Sequence, residues 1–324
     1  FHASYPEHPL IPGESPTTGL PWMGTYAPVM LVVGLSEPSL PHWGARDADI
    51  IYQAPNGGVG ATKLLLLFSD TVPTQAGGSR SARAPFLDIA RSWGAALAHV
   101  GTPGDQVADE VNVTKLARDA GRRREMLTFD LIGNNDYSHR VKGKAAPHNV
   151  TVDMAKIQAL ALENGQTFTP RPFLFTDTLP QGYPGASRVE VRHYGETVKA
   201  GDGDQNSFTA FVYMPEQQAY RMEGFGGRPY VDRDAPDSPI PFANVVVLRV
   251  RFGYSGSYLY LRDTVGNGAA DIFTGGSYIR GGWHRDSLDG RYVLVDEKGE
   301  ELALQRGKTF VVVTNDVSRV SVTP

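Results

Sequence analysis

The sequence predicts an α+β protein: a mixed-sheet, α/β-type N-terminal domain over 1–178, then a β-rich, mostly antiparallel domain over 179–324. Three observations carry this. Apolar runs alternate with helix-period segments in the first half, and a proline-punctuated stretch (Pro170, Pro172, Pro180, Pro184) follows. Beyond it nearly every segment alternates apolar and polar residues or is rich in β-branched and aromatic ones. A chain of 324 residues with 41% hydrophobic content can bury a sizeable core, and its length favours two domains.

Residues 1–24 are rich in proline, histidine and small polar residues, so they are expected to wrap the surface without regular structure. The runs 27–33, 50–53 and 62–68 are short, apolar and bounded by turn signals, the pattern of strands buried on both faces. Phe86, Ile89, Ala90 and Trp93 then recur at helical spacing, with Gly94 placed to stop the helix. The run 95–100 returns to a strand ending near His99. A second helix is expected over 154–163, with Asp153 as N-cap and Gly165 past its end. Arg122-Arg123-Arg124 reads as a solvated helix end, where cations complement the dipole. In the second half, strands are expected over 189–194, 208–213, 244–252, 258–262, 292–295 and 309–314, and no helix is expected. Asp289-Gly290, Lys298-Gly299 and Arg306-Gly307 mark turns between them.

Composition narrows the chemistry. The chain has no cysteine, which removes thiolate catalysis, thiolate zinc sites and disulfides. Its 31 basic and 35 acidic residues give a net charge of −4, spread along the chain, so nucleic acid is not an expected partner. None of the 8 histidines falls in a metal-ligand spacing, and neither metal nor cofactor is expected. No apolar run approaches the roughly 20 residues that span a bilayer. The start at Phe1, without a basic or apolar leader, is what a processed N-terminus gives.

The segment Gly77-Gly78-Ser79-Arg80-Ser81-Ala82-Arg83 concentrates the candidate chemistry. Glycines let backbone N–H groups approach a ligand, and Arg80 and Arg83 offer planar forks to phosphate or carboxylate. Ser79 or Ser81 is placed to cap the following helix. The competing reading pairs both arginines with internal carboxylates such as Asp49 or Asp88, and the residues alone leave both open. His148, stiffened by Pro147 in Ala146-Pro147-His148-Asn149, is a candidate catalytic base or ligand donor, or else a ring bonded to backbone at a domain seam. His99, at the end of an apolar strand, reads as an internally bonded core histidine. Four other motifs fail on detail. His284-Arg285-Asp286 lacks a kinase context, and Asn56–Lys63 has phosphate-loop residues in the wrong order. Asp202–Ser207 lacks the glycine and glutamate of a calcium loop, and Gly253-Tyr254-Ser255-Gly256 lacks the last glycine of a nucleophile elbow.

Over most of its length the chain resembles the DUF3048 family. The matching pieces are Thr18-Gly19-Leu20-Pro21, Ala48-Asp49-Ile50-Ile51-Tyr52, Thr62-Lys63, Arg80-Ser81-Ala82-Arg83, Ala146-Pro147-His148-Asn149, Tyr220-Arg221, Asn244-Val245-Val246-Val247, Gly282-Trp283 and Gly307-Lys308-Thr309. The resemblance implies a two-part extracytoplasmic lipoprotein of the bacterial cell envelope, tethered through a lipidated cysteine ahead of Phe1, with no assigned reaction. The chain departs from the family pattern at Gln53, Lys63, Gly78 and Ser79, where that pattern has an acid, an arginine, a proline and a valine. The expected site is an anion-accepting cleft of Arg80, Ser81, Arg83, His148 and Asn149, with Asp49 and Tyr52 nearby. Its expected partner is an anionic small molecule or envelope polymer, with other envelope proteins as further partners. The leading expectation is a binding or scaffold protein. The alternatives are a hydrolase or transferase acting on an envelope polymer, with His148 as base, and a structural subunit of a surface assembly.

Overall fold

The computed structural model describes residues 10–57, 62–122, 124, 126–193, 208–224, 227–316 and 318–324. Arg123, residues 58–61 of the phosphate-loop lookalike and the calcium-like loop 202–207 lie outside them. In chain order the first part contains β1 (Val29–Gly34), β2 (Ile50–Pro55), β3 (Thr62–Phe68), β4 (Ala76–Gly77), α1 (Ala84–Trp93), β5 (Ala96–His99), α2 (Val113–Gly121), β6 (Thr128–Asp130), β7 (Ser138–Arg140), β8 (Val150–Val152) and α3 (Met154–Glu163).

The caps expected at Gly94 and Asp153 are in place, but α1 starts after Arg83 with no side-chain cap, so neither Ser79 nor Ser81, which lie ahead of that position, caps it. Gly94 ends α1 in the left-handed region at φ 60°, its N–H bonded to the carbonyls of Ala90 and Arg91. Asp153 caps α3 by accepting from the Lys156 N–H at 3.0 Å. Asn112 does the same for α2 through the Lys115 N–H at 2.9 Å, and α2 ends just before Arg122. No α-helix occurs among the described residues after Glu163.

A ten-stranded sheet forms the centre. Its order is Val293–Val295, Ser277–Arg285, Gly266–Thr274, Asn244–Arg249, Thr309–Thr314, β2, β3, β1, β5, β6. The two segments 1–178 and 179–324 therefore share one sheet: Thr309–Thr314 pairs in parallel with both β2 and Asn244–Arg249. The change of pattern near 178 marks a change of connectivity from mixed to mostly antiparallel, and it does not separate two sheets. The joining strands are apolar on both faces, as strands covered from both sides require. β1 and β2 are each antiparallel to β3, and β5 is parallel to β1 and β6. Seven strands of the sheet thus point the same way, with their carboxyl ends on one edge.

Both faces are covered. Val29, Leu31, Val33, Leu64, Leu66 and Phe68 bury themselves under α3 and a five-stranded antiparallel sheet that includes Arg188–Arg192 and Phe208–Met214. Met30, Val32, Tyr52, Leu65 and Leu67 lie against Phe86, Ile89 and Trp93 of α1 on the other face. Phe86 is fully buried, a contribution of about 1.5 to 3 kcal/mol for a side chain of its kind.

Candidate functional site

The segment after β4 is wedged between the carboxyl ends of β1 and β5. The Arg80 N–H donates to the Val32 carbonyl at 2.9 Å, while the Arg80 carbonyl accepts from Val100 at 3.1 Å and Ala82 donates to Gly101 at 3.0 Å. β1 and β5 pair directly only up to Leu31 and Ala98. Beyond that point the segment opens them, which places its side chains outside the carboxyl ends of a largely parallel array, where open α/β sheets take their ligands. Two glycines permit this route. A Cβ on Gly78 would stand 2.2 Å from the His148 carbonyl oxygen, and one on Gly34 would stand 3.2 Å from the Arg80 Cγ. Only bare backbone lets the 147–149 turn and the arginine stem approach so closely.

Three cations meet here. Arg80 and Arg83 come from the segment, and Lys63 is the second residue of β3, in register with Gly34 of β1 and Ala54 of β2. Lys63 is only 6% exposed, and its Nζ donates to the Ser81 carbonyl at 2.8 Å and lies 3.1 Å from the Ser81 Oγ. An Arg83 Nη1 donates to the same Oγ at 2.9 Å and to the Ala82 carbonyl at 2.7 Å, and the guanidinium faces the Tyr258 ring at 5.7 Å. Arg80 donates to Nδ1 of His148 at 3.2 Å. Among the described residues, no carboxylate lies within ion-pair distance of Lys63, Arg80 or Arg83. The Arg83 Nε and the Ser79 Oγ are buried polar atoms with no partner among the described residues.

The electrostatics follow from that imbalance. Burial, with Arg83 and Arg80 alongside, pulls the Lys63 ammonium down to about 6. Burial also lowers Arg80 and Arg83, the latter further depressed by Arg80. His148 is lowered by burial, then by Arg80 and Lys144. Because a guanidinium can only donate, Nδ1 of His148 is an acceptor, so the neutral ring carries its proton on Nε2.

The carboxylates expected to balance these cations are engaged elsewhere. Asp88 pairs with Arg285 at 3.1 Å and accepts from Thr264 at 3.3 Å. Asp49 lies just ahead of β2 at the amino end of the parallel array, opposite the cleft. One of its oxygens accepts from Thr17 Oγ1 at 3.0 Å and from the Ser69 and Asp70 N–H groups at 2.8 and 2.9 Å. With Asp70, Ser15 and Thr18 it ties the N-terminal segment down. Burial, then the neighbouring Asp70, pushes Asp49 up to about 7. Residues 15–19, expected to be irregular surface chain, are buried through these bonds.

The structure thus brings Arg80, Ser81, Arg83 and His148 together and adds Lys63. It does not bring Asp49 or Tyr52 there: the Tyr52 hydroxyl accepts from the Trp93 Nε1 at 2.6 Å inside the apolar layer under α1. The expected proximity of these two to the cleft is corrected on this point, because a strand sends successive residues to opposite faces and its two ends to opposite edges. Asn149 is adjacent in sequence, but its side chain accepts from Arg140 at 2.7 Å on the outer side. Lys63 had two signals in the sequence: a single charge at the head of the apolar run Leu64-Leu65-Leu66-Leu67-Phe68, and its place in the Thr62-Lys63 family match. His99 is 2% exposed and its Nδ1 bonds the Gly101 carbonyl at 3.0 Å, the internally bonded state expected of it.

A two-segment chain with one shared sheet and a cation-lined edge is the arrangement into which two family models fit. Residues 17–167 match the N-terminal domain, and 198–311 the C-terminal domain, of a protein of unknown function, DUF3048. The chain belongs to this family. Among solved structures it is similar to the YerB protein from Bacillus subtilis, with a TM-score of 0.75 and 21% identity over 95% of this chain and 99% of that one. At that identity the likeness is one of fold. No curated protein matches the chain.

Proposed function

We propose that this protein is an extracytoplasmic, envelope-associated binding protein that holds an anionic group of a small molecule or envelope polymer between Arg80, Arg83 and His148. The observation that carries the reading is two half-buried guanidinium groups without a carboxylate among the described residues, while Asp49 and Asp88 are bonded elsewhere. Structural arginines are paired internally, and unpaired ones at a strand-end cleft are suited to a ligand's charge. His148 supports the same reading: with Nδ1 taken by Arg80, its Nε2–H is a third donor. A ring in that state holds an anion more readily than it accepts a proton, which places binding ahead of hydrolysis with His148 as base. The envelope location rests on the family resemblance.

Calorimetric titration with inorganic phosphate and with anionic envelope-polymer fragments tests it. Binding is expected in the parent, with a loss of about 1.5 to 3 kcal/mol in Arg80→Ala or Arg83→Ala, the range for charge-assisted hydrogen bonds. A parent that binds neither anion contradicts the proposal.

A further inference from the structure

We infer that Ser81 and Lys63 form a serine–lysine nucleophile pair that cleaves esters carrying an anionic group, the anion being held by the arginine cleft. The inference rests on the anion-binding reading for substrate placement and adds a reaction to it.

The geometry is that of an activated nucleophile. The Ser81 Oγ and the Lys63 Nζ are 3.1 Å apart, within reach of direct proton transfer. The amine is held by its second bond to the Ser81 carbonyl at 2.8 Å, beside the Phe86 ring 5.9 Å away, and once unprotonated it can turn its lone pair to the hydroxyl 3.1 Å away. Groups facing it from the surrounding elements are Arg80 and Arg83 on the segment and neutral His99 on β5, which carry no negative charge. Burial, then Arg83 and Arg80, disfavour the ammonium, so the amine is free at neutral pH to take the Oγ proton. The Arg83 Nη1 lies 2.9 Å from Oγ, a cation beside the hydroxyl as its proton is withdrawn. Serine with a desolvated lysine is an established alternative to the histidine-based triad. The half-buried Ser81 is flanked by Gly101, where even a Cβ would stand 3.8 Å from its own, so no side chain from that position covers it.

The step balances without a co-reactant other than water. Oγ bonds to the acyl carbon as its proton passes to Lys63. The C–O bond to the leaving alcohol breaks, and that alcohol takes the proton from Lys63. Water then attacks the acyl-Ser81 ester through the same base, releasing the acid and restoring the hydroxyl. One ester and one water give one acid and one alcohol, with no change of oxidation state.

The test treats the whole chain with an aryl fluorophosphonate, locates the adduct by peptide mass, and titrates phosphate in parallel. The expected adduct is on Ser81, forming faster as pH rises with a midpoint near 6, where Lys63 loses its proton. Ser81→Ala should lose the adduct. Lys63→Arg, which preserves a cation but supplies no base, should slow labelling about 100-fold or more. A parent that binds phosphate but leaves Ser81 unmodified at every pH overturns the inference and leaves the binding reading standing. Labelling unaffected by Lys63→Arg also overturns it. Labelling without phosphate binding instead removes the anion-cleft reading and keeps the pair.

Discussion

Arg285 and the pair Arg80 and Arg83 are the same residue type in opposite circumstances. The Arg285 side chain is 0% exposed and saturated: Asp88 accepts from it at 3.1 Å, Tyr292 at 3.2 Å and the Gly290 carbonyl at 3.0 Å, with Leu288 as a further acceptor. Burial pushes its guanidinium down, but Asp88 and Tyr292 outweigh that and hold it above the ordinary arginine value. Arg80 and Arg83 are more exposed, lack a carboxylate and are lowered. A buried arginine that serves the fold comes with its counter-charge, whereas one that serves a ligand leaves that charge to be supplied.

The largest expected effect breaks the structural side of this contrast. Arg285→Met should cost about 3 to 5 kcal/mol, because Asp88 keeps its charge and loses its partner. Arg83→Met, by removing one of several like charges, should change stability by less than about 1 kcal/mol. Urea unfolding of the two variants reads the difference directly, and equal losses would erase the distinction.

Next comes the carboxylate end of the sheet. Asp49 is raised in the fold, first by burial and then by Asp70, so the native state binds more protons than the unfolded chain between pH 4 and 7. Its contribution is fully present at low pH and falls as pH rises through about 7. Asp49→Asn should therefore flatten the decline of the thermal midpoint across that window. Lys63 has the opposite sign: its depressed ammonium makes folding easier as pH rises above about 6. The stability advantage of Lys63→Met should shrink steadily toward alkaline pH, as parallel melting curves would report.

Smaller still is Tyr52→Phe, which strands the Trp93 Nε1 in the apolar layer at a cost of about 1 to 3 kcal/mol, while phosphate binding stays unchanged. Asn149→Ala, which loses only an outer contact to Arg140, should cost about 0.5 kcal/mol or less and leave the phosphate affinity as it was. A large binding defect in either would widen the site beyond the segment.

How far the sequence reached follows from the same physics. β1, β2, β3, α1 and α3 were legible because burial, capping and Gly94 are local signals. The partner of Thr309–Thr314 was not: an apolar run shows that both faces are covered without saying by what, and this one chose β2. Gly266–Thr274 and Ser277–Arg285 escaped because glycine and alanine weaken the strand signal. Gly268 is bare so that Trp283 can lie over it, a Cβ there standing 2.3 Å from the indole. At the site, Arg80, Ser81, Arg83 and His148 were readable as a motif. Asp49 and Tyr52 shared a motif without sharing a place, and Lys63 showed as an isolated charge in a short family match.

The central claim is that Arg80 and Arg83 wait for an anion. The most direct measurement is the thermal midpoint of the parent and of Arg83→Ala across a phosphate series at fixed ionic strength. Binding to the native state should raise the parent's stability by about 2.7 kcal/mol at a hundredfold excess over Kd, with little rise in the variant. A parent and variant that respond alike, or not at all, would contradict the account.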